Sequence, residues 1–182
     1  MSTTTAELAY EDQVRRRMID AIRRFGCWCT YVFGDDMPCD CHECAALGPA
    51  QPDPGDPEGS GDHPAFCYTT GLHGIGHPEF IVHALDQEAS ARVLNEATHM
   101  VLHGRDFTPG EQLTVGGLVV TVEAVPNPGD IFFVANDFYE RPPEASVAGL
   151  QLTWADERGA FPWEPECSPA AKLQPRPGSY TA

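Results

Sequence analysis

The sequence predicts an α+β domain, a mainly antiparallel sheet with helices packed on one side. Three observations carry that reading. Two stretches place apolar residues at helical spacing, several short β-branched and aromatic runs are bounded by Gly, Pro and Asp, and a two-glycine turn separates two strand-like runs. The length of 182 residues suits one core. A single domain is expected over residues 1–166, interrupted by a Cys/Pro/Gly-rich insertion at 34–63 and followed by a flexible tail at 167–182.

Residues 6–25 set Val14, Met18, Ile22 and Phe25 on one face between Arg and Asp, with Gly26 as a C-terminal stop. "CWCTYVF" at 27–33 follows as a strand with Cys27, Cys29, Tyr31 and Phe33 on one face. The apolar pattern then fails, and "ALGPAQPDPGDPEGSGDHP" has the composition of a surface loop. "AFCYTTGL" and "EFIVHAL" resume as core strands joined by the histidine-bearing turn "HGIGHP". Asp86 caps a second helix whose buried stripe is Val93, Ala97, Met100 and Val101 and which Gly104 ends. "QLTV" and "LVVTVEAV" form a hairpin about Gly116–Gly117, residues that accept the positive φ such a turn demands. "IFFVANDFY" and "AGLQLTW" read as further β segments, "ADERGAFPWEP" as a turn bearing a Trp, and residues 168–182 as a frayed end.

Twenty-seven acidic residues face eleven basic ones, for a formal charge of -16, and Lys172 is the single lysine. Such a surface repels phosphate, and the arginines at 15–17, 23 and 24 spread around one helix beside acids, so nucleic-acid binding is not expected. No apolar run reaches the roughly 20 residues of a membrane span, and the first residues lack a signal-peptide core. A cytoplasmic protein without a membrane partner is therefore expected. Its seven cysteines then read as thiols or metal ligands.

Cys39, Cys41 and Cys44 in "PCDCHEC" have a spacing that lets a tight turn bring three thiolates to one zinc ion. The expected site is Cys29, Cys39, Cys41 and Cys44, with Cys27 or His42 as other choices for the fourth ligand. Four ligands would make the zinc structural, whereas three and a water would make it catalytic. Cys27 and Cys29 read equally as core residues, and Cys67 as a small buried hydrophobe.

The other concentration of chemistry is "YTTGLHGIGHPEFIV" at 68–82. Tyr68, Thr69, Gly71, Leu72, Gly76, His77, Pro78 and Glu79, with "ANDFY" at 135–139 and "LQLTWADERGAFPWEP" at 150–165, resemble the DUF4262 family of bacterial and phage-type proteins. The resemblance covers residues 64–166 and implies a domain type but no activity. The cysteine-bearing insertion departs from it. Pro78 holds His77 near an extended conformation, and Glu79 two residues on could point to the same side. His77, Glu79 and Tyr139 are thus candidate acid–base residues. His73, His77, Glu79, Tyr139, Gln151, Trp154 and Asp156 together suggest a small-ligand pocket. The plainer reading is that His77 and Glu79 satisfy backbone groups at a turn. His99 and His103 share a helix face without the glutamate of a zinc-protease pattern, and no nucleophile elbow, P-loop or dinucleotide fingerprint occurs.

The function expected is that of an accessory domain binding a small ligand or protein partner and carrying a structural zinc. The alternatives are a metal-dependent or His/Glu acid–base enzyme of hydrolase type, and an acidic immunity or inhibitor protein that neutralises a basic partner.

Overall fold

A computed structural model describes residues 4–34 and 63–179. Helix α1 (Thr5–Phe25) begins at a capping box, in which the Thr4 hydroxyl accepts the Glu7 N–H and the Glu7 carboxylate accepts the Thr4 N–H. Strand β1 (Trp28–Val32) follows, then β2 (Phe66–Thr70), a short turn of 3-10 helix (His73–Ile75) and β3 (Glu79–His83). Asp86 caps α2 (Gln87–Leu102) by accepting the Ala89 N–H at 2.7 Å. Strands β4 (Gln112–Val115) and β5 (Leu118–Ala124) pair as the expected hairpin, with φ of 59° and 81° at Gly116 and Gly117. Helix α3 (Phe133–Phe138), strand β6 (Gly149–Trp154) and helix α4 (Pro169–Lys172), with 3-10 turns at Pro128–Asp130 and Pro143–Ala145, complete the described elements.

The six strands form one sheet in the order β1-β2-β3-β6-β5-β4. All pairs are antiparallel except β3 with β6, where Glu79 to Ile81 run beside Gly149 to Gln151. The last strand thus inserts between the two halves. The α+β reading holds, and strand alternation gives the sheet two apolar faces. Phe80, Val82, Val120, Val122, Leu150 and Leu152 pack with Val93, Leu94 and Ala97 of α2 on one face. Phe66, Tyr68, Ile81 and Val125 pack with Phe132, Ala135 and Val147 on the other. Helical cover is uneven: sixteen-residue α2 on the first face, six-residue α3 on the second.

Two stretches differ from the sequence reading. Residues 133–138 are helical instead of β, although their composition favours a strand. Phe132 and Ala135, three apart, turn to the same buried side, the Asn136 N–H returns to the Phe132 carbonyl, and the Val134 N–H is taken by the Tyr68 hydroxyl at 3.1 Å. Packing on the sheet overrides propensity here. The stretch after Ser168, expected to fray, contains α4 with Ala171 buried, and Gln174 clasps the end of β6. Trp154 lies past the point where β3 accompanies β6, so a side-chain amide serves its backbone in place of a neighbouring strand.

Candidate functional site

The histidine turn is built where β2 and β3 part. Their paired register ends at Tyr68 opposite Ile81. Beyond it the Phe80 N–H donates to the Thr69 hydroxyl at 2.9 Å, and that hydroxyl donates to the Glu79 carboxylate at 2.6 Å. The other carboxylate oxygen accepts the N–H groups of Gly71 and His73, each at 2.9 Å. Gly71 is required: its φ is +143°, and a Cβ there would stand 2.6 Å from the Gly26 carbonyl oxygen. Glu79 is fully buried, and burial raises its carboxyl pKa, opposed by the donors from Thr69, His73 and Gly71.

His77 is 8% exposed and lies against Phe80 and Phe107, with ring centroids at 5.0 and 6.0 Å. Its Nδ1 lies 2.7 Å from the Pro78 carbonyl, which can only accept, so Nδ1 donates there. Among the described residues Nε2 has no hydrogen-bond partner. Tyr139 accepts the Gly74 N–H through its hydroxyl at 3.1 Å and meets the His73 ring edge-on at 4.8 Å. Burial raises the Tyr139 pKa. His73, Glu79 and Tyr139 are therefore gathered on one turn, each engaged with that turn's own backbone or rings.

Gln151, Trp154 and Asp156 serve other places. Gln151 donates to Thr153 at 3.0 Å and to the Pro175 carbonyl at 2.8 Å. Thr153 in turn donates to Glu123, which pairs with Arg176 at 2.7 Å. The Trp154 indole N–H donates to the His83 carbonyl at 2.9 Å. Asp156 accepts the N–H groups of Ala160, Ser168 and Arg158 at 2.8 to 3.0 Å, and these, Ala160 first, hold its carboxyl below the usual range. The aromatic and polar residues read as one pocket are thus distributed over the turn, the β5–β6 network and the closing loop.

Cys39, Cys41, Cys44 and His42 lie outside the described residues. Cys29 faces α2, with its sulfur 4.0 Å from that of Cys27 and 3.9 Å from the Asn95 side-chain oxygen. The Thr98 hydroxyl donates to the Cys27 sulfur at 3.3 Å. The adjacent Cys29 sulfur and burial push the Cys27 thiol far up. Contact with Cys27 lowers the Cys29 pKa, but Cys67 and burial outweigh it and leave it pushed up to about 12. Both therefore stay protonated at neutral pH without a metal. Among the described residues no three metal-ligating side chains come together. The His99 and His103 rings lie tilted with centroids 4.1 Å apart, and His103 Nδ1 bonds the His99 carbonyl.

Sequence reasoning missed a groove of about 950 Å³ between α1 and α3. Leu8, Val14 and Met18 line one side and Phe133, Val134 and Phe138 the other, with Glu11, Asp12 and Asp137 beside them. Leu8, Tyr10 and Phe133 are 54%, 67% and 52% exposed. The helical stripe in the sequence contains Val14 and Met18, but a strand over 131–139 offers it no opposing wall. A second groove of about 590 Å³ runs along β5 beneath Trp163 and Arg176.

No helix among the described residues is long and apolar enough to cross a membrane. No curated protein and no solved structure matches the sequence. Residues 21–168, from the last turn of α1 to the cap of α4, match the family described as a domain of unknown function, DUF4262. With the histidine turn and the Trp-bearing closing loop both inside that span, the chain belongs to the DUF4262 family.

Proposed function

We propose that this chain is a cytoplasmic binding module that docks a partner on a preformed surface. The observation that carries the reading is the closure of the histidine turn. Glu79 gives both carboxylate oxygens to Thr69, Gly71 and His73, so the grouping with the densest acid–base chemistry is committed to holding the fold. A general base must reach a substrate proton, and a carboxylate engaged by a hydroxyl and two main-chain donors in a fully buried site has no such reach. The molecule's apolar groove, by contrast, is open and bordered by acids. A formal charge of -16 would speed encounter with a cationic partner and accords with an inhibitor or immunity role.

The test is capture of partners by the tagged full chain, followed by amide hydrogen exchange on the purified complex. A stoichiometric complex with slowed exchange on an exposed surface is expected. Failure to form any complex, or turnover of a small molecule that His77→Ala abolishes, overturns the reading. His77 is the residue on which that rival rests, because its Nε2 has no hydrogen-bond partner among the described residues.

The module would also hold one zinc through Cys39, Cys41, Cys44 and Cys29. The support is soft-ligand spacing in the sequence and the presence of Cys29 near the start of β1, with Cys27 alongside. Zinc takes cysteine as the thiolate and would displace its proton, so its binding should weaken as pH falls. Elemental analysis should find one zinc per chain. A metal-free protein whose Cys39→Ser, Cys41→Ser double variant melts like the parent would remove the proposal.

A further inference from the structure

We infer that the groove between α1 and α3 is a docking site for a basic amphipathic helix of another protein. This rests on the binding reading above and assigns it a surface and a partner chemistry. The floor and walls are apolar: Leu8, Val14 and Met18 from α1, Phe133, Val134 and Phe138 from α3. Leu8 and Phe133 are each about half exposed, which leaves aliphatic and aromatic anchors on opposite walls for an incoming apolar side chain. The two walls are helices and offer no strand edge, so a docked segment must satisfy its own backbone. That requirement selects a helix over an extended peptide.

The sign of the partner follows from the charges beside the groove. Glu11, Asp12 and Asp137 line it together with a single cation, Arg15. Arg15 is already held: it donates to the Phe138 carbonyl at 3.1 Å, lies 5.1 Å from the Phe138 ring centroid and sits 3.8 Å from Glu140. Asp12 in turn sits 3.7 Å from Arg16, so Glu11 and Asp137 carry the net negative charge that the groove presents to an incoming segment. A second copy would bring another formal -16 to the same place, whereas Lys or Arg flanking an apolar stripe would meet complementary charge. The α1 wall lies almost wholly ahead of residue 21, where the family match begins, and the α3 wall lies inside it. Partner choice would thus be supplied in part by a helix that this chain adds to the family region.

The experiment is fluorescence anisotropy on the full-length protein with a labelled peptide of Leu and Lys arranged as an amphipathic helix. A Leu/Glu counterpart and a scrambled Leu/Lys peptide of the same composition serve as controls. The Leu/Lys helix should bind, the controls should not, and binding should weaken about tenfold or more with Phe133→Ser and with Asp137→Lys. Glu157→Lys, an exposed acid in the turn after β6, should leave the affinity unchanged. Equal weakening by Glu157→Lys would mean diffuse charge attraction and overturn the site. So would absence of peptide binding, or a concentration-dependent dimer that Phe133→Ser dissociates, which would make a second copy the occupant. A captured partner that protects a surface other than α1 and α3 overturns the groove while leaving the binding reading intact.

Discussion

The turn from Gly71 to Glu79 and the groove between α1 and α3 use their side chains in opposite ways. In the turn, a carboxylate, a hydroxyl and main-chain donors consume one another, and burial of Glu79 makes the arrangement costly to disturb. In the groove, Leu8 and Phe133 remain about half exposed beside Glu11, Asp12 and Asp137. A dense run of titratable residues can therefore mark a brace for the chain, while a surface fit for recognition is written in unremarkable apolar residues on two separated helices.

The contrast is broken most directly at Glu79. Glu79→Ala would leave the Thr69 hydroxyl and the Gly71 and His73 N–H groups without their acceptor in a buried place. A loss of about 3–5 kcal/mol is expected, since each orphaned buried donor costs roughly 1–3 kcal/mol and removal of the carboxylate's own desolvation offsets part of it. Glu79→Gln keeps one acceptor and should lose about half as much. Urea denaturation at constant m-value measures both. A Glu79→Ala variant as stable as the parent would mean that the turn is not a brace.

The other end of β3 gives the next effect. Burial lowers the His83 pKa to about 3 from an ordinary 6.5, so the folded state holds the ring neutral while the unfolded chain takes up a proton below 6.5. Stability from this group is complete above pH 6.5 and is lost as pH falls toward 3. By pH 4.5 the loss should be about 2–3 kcal/mol, from two pH units at 1.36 kcal/mol each. Glu79 runs the other way: its raised pKa makes the ionised form a burden that grows as pH rises above 4.5. Equilibrium unfolding at a series of pH values, in parent and His83→Gln, should show a flatter acid limb in the variant. Identical limbs would place the proton uptake elsewhere.

A smaller effect is expected at Gln174, whose amide bonds both the N–H and the carbonyl of Trp154 at 2.9 and 2.8 Å. Gln174→Ala should cost about 1–3 kcal/mol and speed amide exchange at Trp154. No change in either would mean that the segment after Ser168 adds nothing to the sheet.

How much of this could be read in advance depends on whether the deciding contacts were local. α1, α2 and the Gly116–Gly117 hairpin follow from spacing, caps and turn residues a few positions apart, and they form as expected. Glu79 and His77 were picked out by the density of the turn, and the plainer of the two readings, satisfaction of backbone groups, describes what Glu79 does. The residues around 133–138 and 174 were not legible, because what fixes them is remote: the Tyr68 hydroxyl at Val134, and the exposed end of β6 at Gln174. The groove was lost with the first of these. An apolar stripe on α1 announces a buried face, and only the position of α3 shows that much of it stays open.

The smallest effect is therefore the most pointed test of the comparison. If the groove is a surface and not part of the brace, removing its anchors should leave the fold as stable as before. Leu8 and Phe133 have lost only about half of their accessible area on folding, and neither takes part in the two buried clusters on the sheet. Substitution to serine leaves no buried polar group and opens no enclosed cavity. Leu8→Ser and Phe133→Ser should each shift the unfolding free energy by no more than about 0.5 kcal/mol, the range of surface substitutions that touch no special feature. Thermal and urea unfolding of the two variants measure this. A loss above about 2 kcal/mol at either position would place that residue in a core, and the groove would then be an imperfectly closed joint between α1 and α3 instead of a site kept open for another chain.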